Sequence, residues 1–187
     1  MKHLNKPQVI AIAAVSGGGK TTVVNALRDK LNDTKVLYFD DYEFEDAPQD
    51  ICQWVEDGAD YNLWNLGPLI RDLQSLLSHS QEPLEYILLD YPFAYRHQER
   101  AKFIDHAIYI DTPLDIAQGR RLLRDFAAGE VAEDIRNDLK FYLERGRQAY
   151  LEMITTIKPD SDYVVDGTLP VPAITELLVS RILQGGE

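Results

Sequence analysis

The chain has 187 residues, 45% of them hydrophobic, and a formal net charge of −12 at pH 7. This length and apolar content favour one domain with a substantial core. The acidic balance argues against a broad surface for nucleic acid or for an anionic membrane. No apolar run approaches the roughly 20 residues that a membrane span needs. A single cysteine, Cys52, excludes an internal disulfide framework, so we expect a cytoplasmic protein in which Cys52 packs as a small apolar side chain.

The first predicted element is a buried strand over 9–15 that runs into a glycine turn and a helix. The strand is an unbroken apolar run, as is typical of a parallel strand covered on both faces. Glycine tolerates positive φ, and the backbone N–H groups of such a turn point at one anion beside the positive end of a helix. The residues predicted to bind phosphates are Ser16, Gly17, Gly18, Gly19, Lys20, Thr21 and Thr22.

This turn follows the phosphate-binding pattern G-x-x-x-x-G-K-[ST], except that Ala14 stands at the first glycine position. In this pattern Lys20 reaches the β and γ phosphates, and the Thr21 hydroxyl coordinates Mg²⁺. Ala14 then requires an ordinary φ. The alternative is a glycine-rich turn that binds nothing, but strand, loop, lysine, hydroxyl and helix come in the order that phosphate binding requires.

A helix over 20–31 and a short strand over 35–39 come next, and Asp40 and Asp41 follow the strand. Ligands of open α/β sheets bind beyond the carboxyl ends of the strands, so we expect these two carboxylates near the phosphate turn. The alternative is that they only cap a loop.

The stretch 43–64 is acidic and aromatic, and it contains Trp54, Tyr61 and Trp64. It is either an acceptor pocket that stacks on a ring or a cover over the edge of the core. After a further amphipathic helix, an apolar strand over 86–90 ends in Asp90. This is the form of a Walker B element, whose carboxylate holds Mg²⁺ directly or through water.

A strand over 106–110 leads into a helix that we expect to be capped by Asp111 or Thr112, with Pro113 at its first position. The helix carries three arginines, and arginine supplies fixed positive charge beside a transferring phosphoryl group. These are Arg120, Arg121 and Arg124, and their spacing lets them share one flank of the helix. The alternative is that they form a solvated basic face.

The C-terminal part is predicted as a long helix over 131–157, a fifth strand over 162–166 and a final helix. Gly146 interrupts the long helix. Surface pairing is expected for Arg145 and Arg147 on either side of it, and the alternative is that they join the anion site. The segment around 125–135 is a candidate mobile lid that excludes water during transfer.

These residues together resemble the P-loop kinases, specifically the uridine kinase and nicotinamide riboside kinase branch, which is related to phosphoribulokinase and pantothenate kinase. Four stretches carry the resemblance: the phosphate turn at 15–22, the D-x-[FY]-like element at 38–42, the R-x-x-R-D-like lid entry at 120–125, and 165–168, near where relatives hold adenine.

The resemblance implies an α/β, three-layer P-loop NTPase fold with a five-stranded, mostly parallel sheet, helices on both faces and a small lid. We expect a single kinase-like domain over 1–187, an acceptor-side segment at 43–64 and a lid near 120–147.

The resemblance also implies a function, namely in-line transfer of the γ-phosphoryl group of ATP, with Mg²⁺, to an alcohol of a small, nucleoside-like acceptor. Asp40 is then the base, with Asp41 as its competitor, and Arg121 and Arg124 come from the lid onto the triphosphate. We expect a monomer or homodimer without nucleic-acid or membrane partners. The alternatives are a nucleotide-binding NTPase or switch, and a catalytically silent kinase-like binding protein.

Overall fold

A computed structural model of the protein describes residues 6–79, 83–129 and 131–184. Five strands form one sheet in the order β2-β3-β1-β4-β5, and every neighbouring pair is parallel. The predicted five-stranded sheet is therefore confirmed, and it is parallel throughout. The strands are β1 Gln8–Ala13, β2 Thr34–Tyr38, β3 Tyr86–Asp90, β4 His106–Asp111 and β5 Tyr163–Asp166.

Helices connect the strands, as the right-handed crossovers of a parallel sheet require. Short 3-10 turns occupy Phe39–Asp41 and Tyr61–Leu63. The α-helices are α1 Lys20–Lys30, α2 Ile51–Glu56, α3 Gly67–His79, α4 Gln98–Ala101, α5 Leu114–Asp125, α6 Ala132–Phe141, α7 Arg147–Glu152 and α8 Val171–Gln184.

The three inner strands, β3, β1 and β4, are buried on both faces, and alternate side chains enter two separate cores. On β1, Val9 and Ala11 face one core while Ile10 and Ile12 face the other. The second core is closed by α1 and α8, and the first by α3 together with the stretch 39–64. This is the predicted three-layer arrangement, with the sheet between two layers of helix.

Two details of the helices differ from the prediction. Helix α5 begins at Leu114 with Pro113 as its N-cap, and no side chain caps it. The Asp111 carboxylate instead accepts a 2.6 Å hydrogen bond from Lys158 Nζ, so the expected cap by Asp111 or Thr112 is wrong. The predicted long helix is continuous to Ile157, but π-helical turns occupy Tyr142–Gly146 and Met153–Ile157.

The aromatic stretch 43–64 contributes to the core. Trp54 and Tyr61 are buried, and their rings pack edge to face 5.0 Å apart, while Trp64 is half-buried against the same cluster. This favours a cover over the core edge, although Trp64 leaves part of its ring exposed. Cys52 is buried, as expected. No helix within the described ranges is long and apolar enough to cross a membrane.

Candidate active site

The phosphate turn lies at the carboxyl end of β1, the central strand of the sheet. Gly17 and Gly19 have φ of 77° and 95°, and Gly19 is the N-cap of α1. Both angles lie in the left-handed region that favours glycine. The Gly18 amide donates to the Val15 carbonyl at 2.8 Å, which closes the turn. Ala14 is buried and has no positive φ, as the substituted pattern required.

Neighbouring elements hold this turn in place. The Thr112 hydroxyl, which follows β4 and is buried, donates to the Gly18 carbonyl at 2.8 Å. A Cβ on Gly17 would overlap the carbonyl oxygen of Ala117 in α5. Sequence analysis assigned Thr112 to a helix cap and missed this contact. A polar residue in the tight connection from β4 to α5 is the only signal that pointed to it.

Lys20 and Thr21 both contact the carboxylate of Asp90. Lys20 Nζ forms an ion pair with Asp90 Oδ1, and the Thr21 hydroxyl donates to Asp90 Oδ2 at 2.6 Å. Asp90 ends β3, next to β1 in the sheet, so parallel pairing brings this carboxylate to the phosphate turn. Burial lowers the pKa of Lys20 from its ordinary value of 10.5 to about 8, and the charge of Asp40 opposes that shift.

A cavity of about 600 Å³ opens over the turn. Asp40 lies on its wall together with Lys20 and Thr21, whereas Asp41 does not line it. Asp40 itself is exposed in the 3-10 turn after β2, where solvent or a ligand can reach its carboxylate. The geometry therefore brings together a phosphate turn, a lysine and a carboxylate at the ends of β1 and β2.

The three arginines of α5 lie in different surroundings. Arg120 and Arg124 line the cavity, where Arg120 Nη1 donates to the Gly167 carbonyl at 3.3 Å and Arg124 Nη2 to Ser16 Oγ at 3.4 Å. Arg121 instead makes a bidentate ion pair with Asp138 of α6 and lines a second cavity. The role predicted for Arg121 at the triphosphate stays a prediction.

The residues at the turn fit a nucleotide with Mg²⁺. Successive glycines leave the backbone open to an anion, and Lys20 supplies a cation beside it. Thr21 and Asp90 offer the hydroxyl and carboxylate oxygens that Mg²⁺ prefers. Within the described residues, no cluster of three or more His, Cys, Asp or Glu side chains is placed to hold a metal.

The remaining predicted contacts are on the surface. Arg145 pairs with Asp50 at 2.8 Å and with Glu56 at 3.1 Å, which confirms surface pairing for this arginine. The sequence did not predict a role for Asp138. Its partner Arg121 is 17 positions away, and nothing in the local sequence indicates that the two side chains pair.

A parallel sheet of this order, with the glycine turn on its central strand and Arg120 and Arg124 of α5 lining the cavity over it, resembles the fold and phosphate turn of P-loop kinases. Curated relatives named uridine kinase agree with this class. The protein from Oceanobacillus iheyensis is 26% identical and the alignment covers 86% of each chain. The protein from Borrelia garinii subsp. bavariensis is 28% identical, over 84% of this chain and 85% of the relative. The resemblance found in the sequence is therefore confirmed.

Solved structures share the fold at low sequence identity. A Thermus thermophilus protein superposes with a TM-score of 0.58 at 17% identity, covering 97% of this chain and 98% of its own. A sugar kinase from Janibacter has a TM-score of 0.54 at 16% identity, with 93% of each chain covered. A gluconokinase from Sinorhizobium meliloti has a TM-score of 0.51 at 15% identity, covering 92% of this chain and 89% of its own. No protein-family model matches the chain.

Proposed function

We propose that the protein is a small-molecule kinase that transfers the γ-phosphoryl group of ATP to an alcohol of a nucleoside-like acceptor. The observation that carries the proposal is the shared cavity of Lys20 and Asp40, which sets a phosphate-binding cation beside an exposed carboxylate. The name uridine kinase, carried by the relatives, makes uridine the first acceptor to test.

In the proposed reaction, the acceptor oxygen forms a bond to the γ phosphorus while the bond to the β–γ bridging oxygen breaks. The electron pair of the broken bond leaves with ADP, and the hydroxyl proton passes to the Asp40 carboxylate and then to solvent. Lys20 binds the β and γ phosphates, and its charge stabilises the transferring group. Mg²⁺, when bound with the nucleotide, neutralises further phosphate charge, and Thr21 and Asp90 would hold it.

Positive charge from α5 completes the proposed site. Arg124 lies on the cavity wall next to Ser16 and is placed to meet a phosphate there. Arg121 would reach the triphosphate only after releasing Asp138, which a movement of the segment between α5 and α6 would permit. We propose this segment as the lid that excludes water during transfer.

The experiment is ADP release by purified protein with Mg·ATP, with and without uridine and other alcohols. We expect release that depends on an acceptor and is lost by about 100-fold or more in Asp40→Asn, with Mg·ATP affinity retained. The matched control is Asp41→Asn, a neighbouring carboxylate outside the cavity, which is expected to keep activity. Equal ADP release without any acceptor would favour an NTPase, and normal turnover of Asp40→Asn would contradict the assigned base.

A further inference from the structure

Arg100 of α4 is fully buried, with an exposed fraction of 0%. None of its three side-chain nitrogens, Nε, Nη1 and Nη2, has a hydrogen-bond partner within the described residues. The guanidinium lies over an aromatic ring, with Cζ 5.6 Å from the centre of the Tyr91 ring. A guanidinium is nearly always charged and carries five donors, so a buried one without an acceptor is costly unless something else pairs with it.

The polar groups next to Arg100 have other partners. His97 Nδ1 accepts from the backbone amide of Arg100 at 3.3 Å, and His97 Nε2 lies 3.0 Å from the Trp64 carbonyl. This arrangement uses both ring nitrogens of a neutral histidine. The Tyr42 hydroxyl donates to Asp72 at 2.9 Å. In the described part of the chain, no carboxylate accepts a hydrogen bond from the Arg100 guanidinium.

Two further buried polar atoms in the same aromatic cluster are unpaired, the Tyr91 hydroxyl and Trp64 Nε1. The rings of both residues pack against Phe39, at 6.0 Å for Tyr91 and 5.7 Å for Trp64. Together with Arg100 they supply unused donors, and a set of donors suits a ligand rich in acceptor oxygens.

Arg100 is linked to the proposed active site through the Tyr91 ring. Phe39 and Pro92 line the cavity that contains Asp40, and the centre of the Tyr91 ring lies 6.0 Å from that of Phe39 and 5.6 Å from Arg100 Cζ. Arg100 itself does not line this cavity. Phe39 belongs to a 3-10 turn that precedes an irregular stretch over 42–50, whereas Tyr91 directly follows β3 and its amide donates to the Ile12 carbonyl at 3.0 Å. A ligand in the cavity would therefore reach Arg100 only when the Phe39 and Tyr91 side chains move aside.

We propose that Arg100 binds a negatively charged group, a carboxylate or a phosphate ester, on the alcohol that receives the phosphoryl group. This inference rests on the proposed function and narrows its acceptor to an anionic molecule. The anion satisfies the guanidinium by charge-assisted hydrogen bonds, and the hydroxyl end of the same molecule remains in the cavity beside Asp40. A neutral nucleoside would leave Arg100 unpaired.

The test compares two matched pairs of acceptors, uridine with its carboxylated form orotidine, and ribose with ribose 5-phosphate. We expect at least one anionic compound to exceed its neutral partner in kcat/KM by about 100-fold, as charge-assisted hydrogen bonds allow. The orotidine pair reports on a carboxylate and the ribose pair on a phosphate ester. A thermal shift with each compound, without ATP, measures binding independently of phosphoryl transfer.

The variant is Arg100→Met, which keeps an unbranched apolar side chain and removes the charge. It should abolish the preference for the anion, leave Mg·ATP affinity unchanged, and keep or raise the melting temperature, because an unpaired buried charge is lost. Arg96→Met, at an exposed arginine of the same segment, is the control that should keep the preference. A lower melting temperature for Arg100→Met with the preference intact, or equal binding within both pairs, would overturn the inference.

Failure of the proposed function would look different. In that case no compound of the panel would stimulate ADP release, while the thermal shift by the anionic compounds, and its loss in Arg100→Met, would still report on the anion site.

Discussion

Thr21 and Asp90 are joined by a 2.6 Å hydrogen bond across 69 positions of the sequence. One belongs to the first turn of α1 and the other ends β3, so the parallel pairing of β1 with β3 places them together. Lys20 binds the second oxygen of the same carboxylate. Asp90 thus contacts both residues that are predicted to meet the phosphates and Mg²⁺.

The first prediction concerns this pair. Thr21→Val keeps the shape of the side chain but removes the hydroxyl, and it should raise the Mg²⁺ concentration needed for half-maximal activity by about 10- to 100-fold. Thr21→Ser retains the oxygen and should stay close to the unmodified protein. The measurement is initial rate against free Mg²⁺ at fixed ATP. Equal Mg²⁺ requirements for the two variants would remove Thr21 from the metal site.

The second prediction separates the arginines of α5. Arg124→Ala should lower kcat by about 100-fold or more with little change in melting temperature, because this side chain lies at the cavity and its partners Asp125 and Ser16 are both exposed. Arg121→Ala should lower both quantities, since it also leaves the half-buried Asp138 without its ion pair. Rates and thermal melts of the two variants provide the comparison. If Arg121→Ala changed only the melting temperature, Arg121 would be a structural residue.

Much of the fold follows from local sequence. Apolar runs such as 9–15 and 86–90 predict buried parallel strands, and each lies within a residue or two of its expected limits. The cap of α5 was mispredicted because Lys158, 47 positions away, binds the Asp111 carboxylate. The π-helical turns likewise have no local signature in a pattern read at 3.6 residues per turn.

The candidate site divides in the same way. Lys20 and Thr21 are predictable because a short phosphate-binding pattern fixes both their order and their chemistry. Asp40 lines the cavity and Asp41 does not, and this difference depends on the 3-10 turn after β2. The pairing of Arg121 with Asp138 and the burial of Arg100 depend on how helices pack, which spacing along the chain does not encode.

The third prediction uses the lowered pKa of Lys20. Burial disfavours its charged form, so near pH 8 part of the nucleotide-free protein carries a neutral Lys20. Bound phosphates favour the ammonium, and binding of Mg·ATP at pH 8.5 should therefore take up most of one proton. At pH 6.5 Lys20 is already charged, and uptake by this group should vanish. Calorimetry in two buffers of different ionisation enthalpy measures the uptake, and equal values at both pH values would contradict the prediction.

The same shift has a consequence for stability. The folded-state pKa of about 8 lies below the ordinary value of 10.5, so the unfolded chain binds more protons between these pH values. The contribution of Lys20 to the free energy of unfolding should therefore increase with pH across this window, and below about pH 8 it should be constant. Denaturant unfolding at pH 7, 8 and 9, compared with Lys20→Met, isolates this contribution. A contribution that falls as pH rises would mean that the lysine is stabilised by its ion pair more than it is penalised by burial.

The fourth prediction contrasts two glycines that flank the site. Gly17 has a φ of 77°, and a Cβ there would overlap the Ala117 carbonyl, so Gly17→Ala should weaken Mg·ATP binding and lower the melting temperature. Gly119 lies inside α5, and among the described residues nothing beyond its chain neighbours and the backbone of its own helix is within 4 Å of a Cβ placed there. Gly119→Ala should therefore stabilise the protein by about 1 kcal/mol.

For a chain of this length, that gain corresponds to a rise in melting temperature of about 2–4 °C. Thermal melts and Mg·ATP titrations of the two variants make the comparison under identical conditions. Since both replace glycine with alanine, only the surroundings differ between them. Wild-type nucleotide affinity in Gly17→Ala would show that α5 and the phosphate turn move apart freely, and the close packing described for this turn would then not be needed for nucleotide binding.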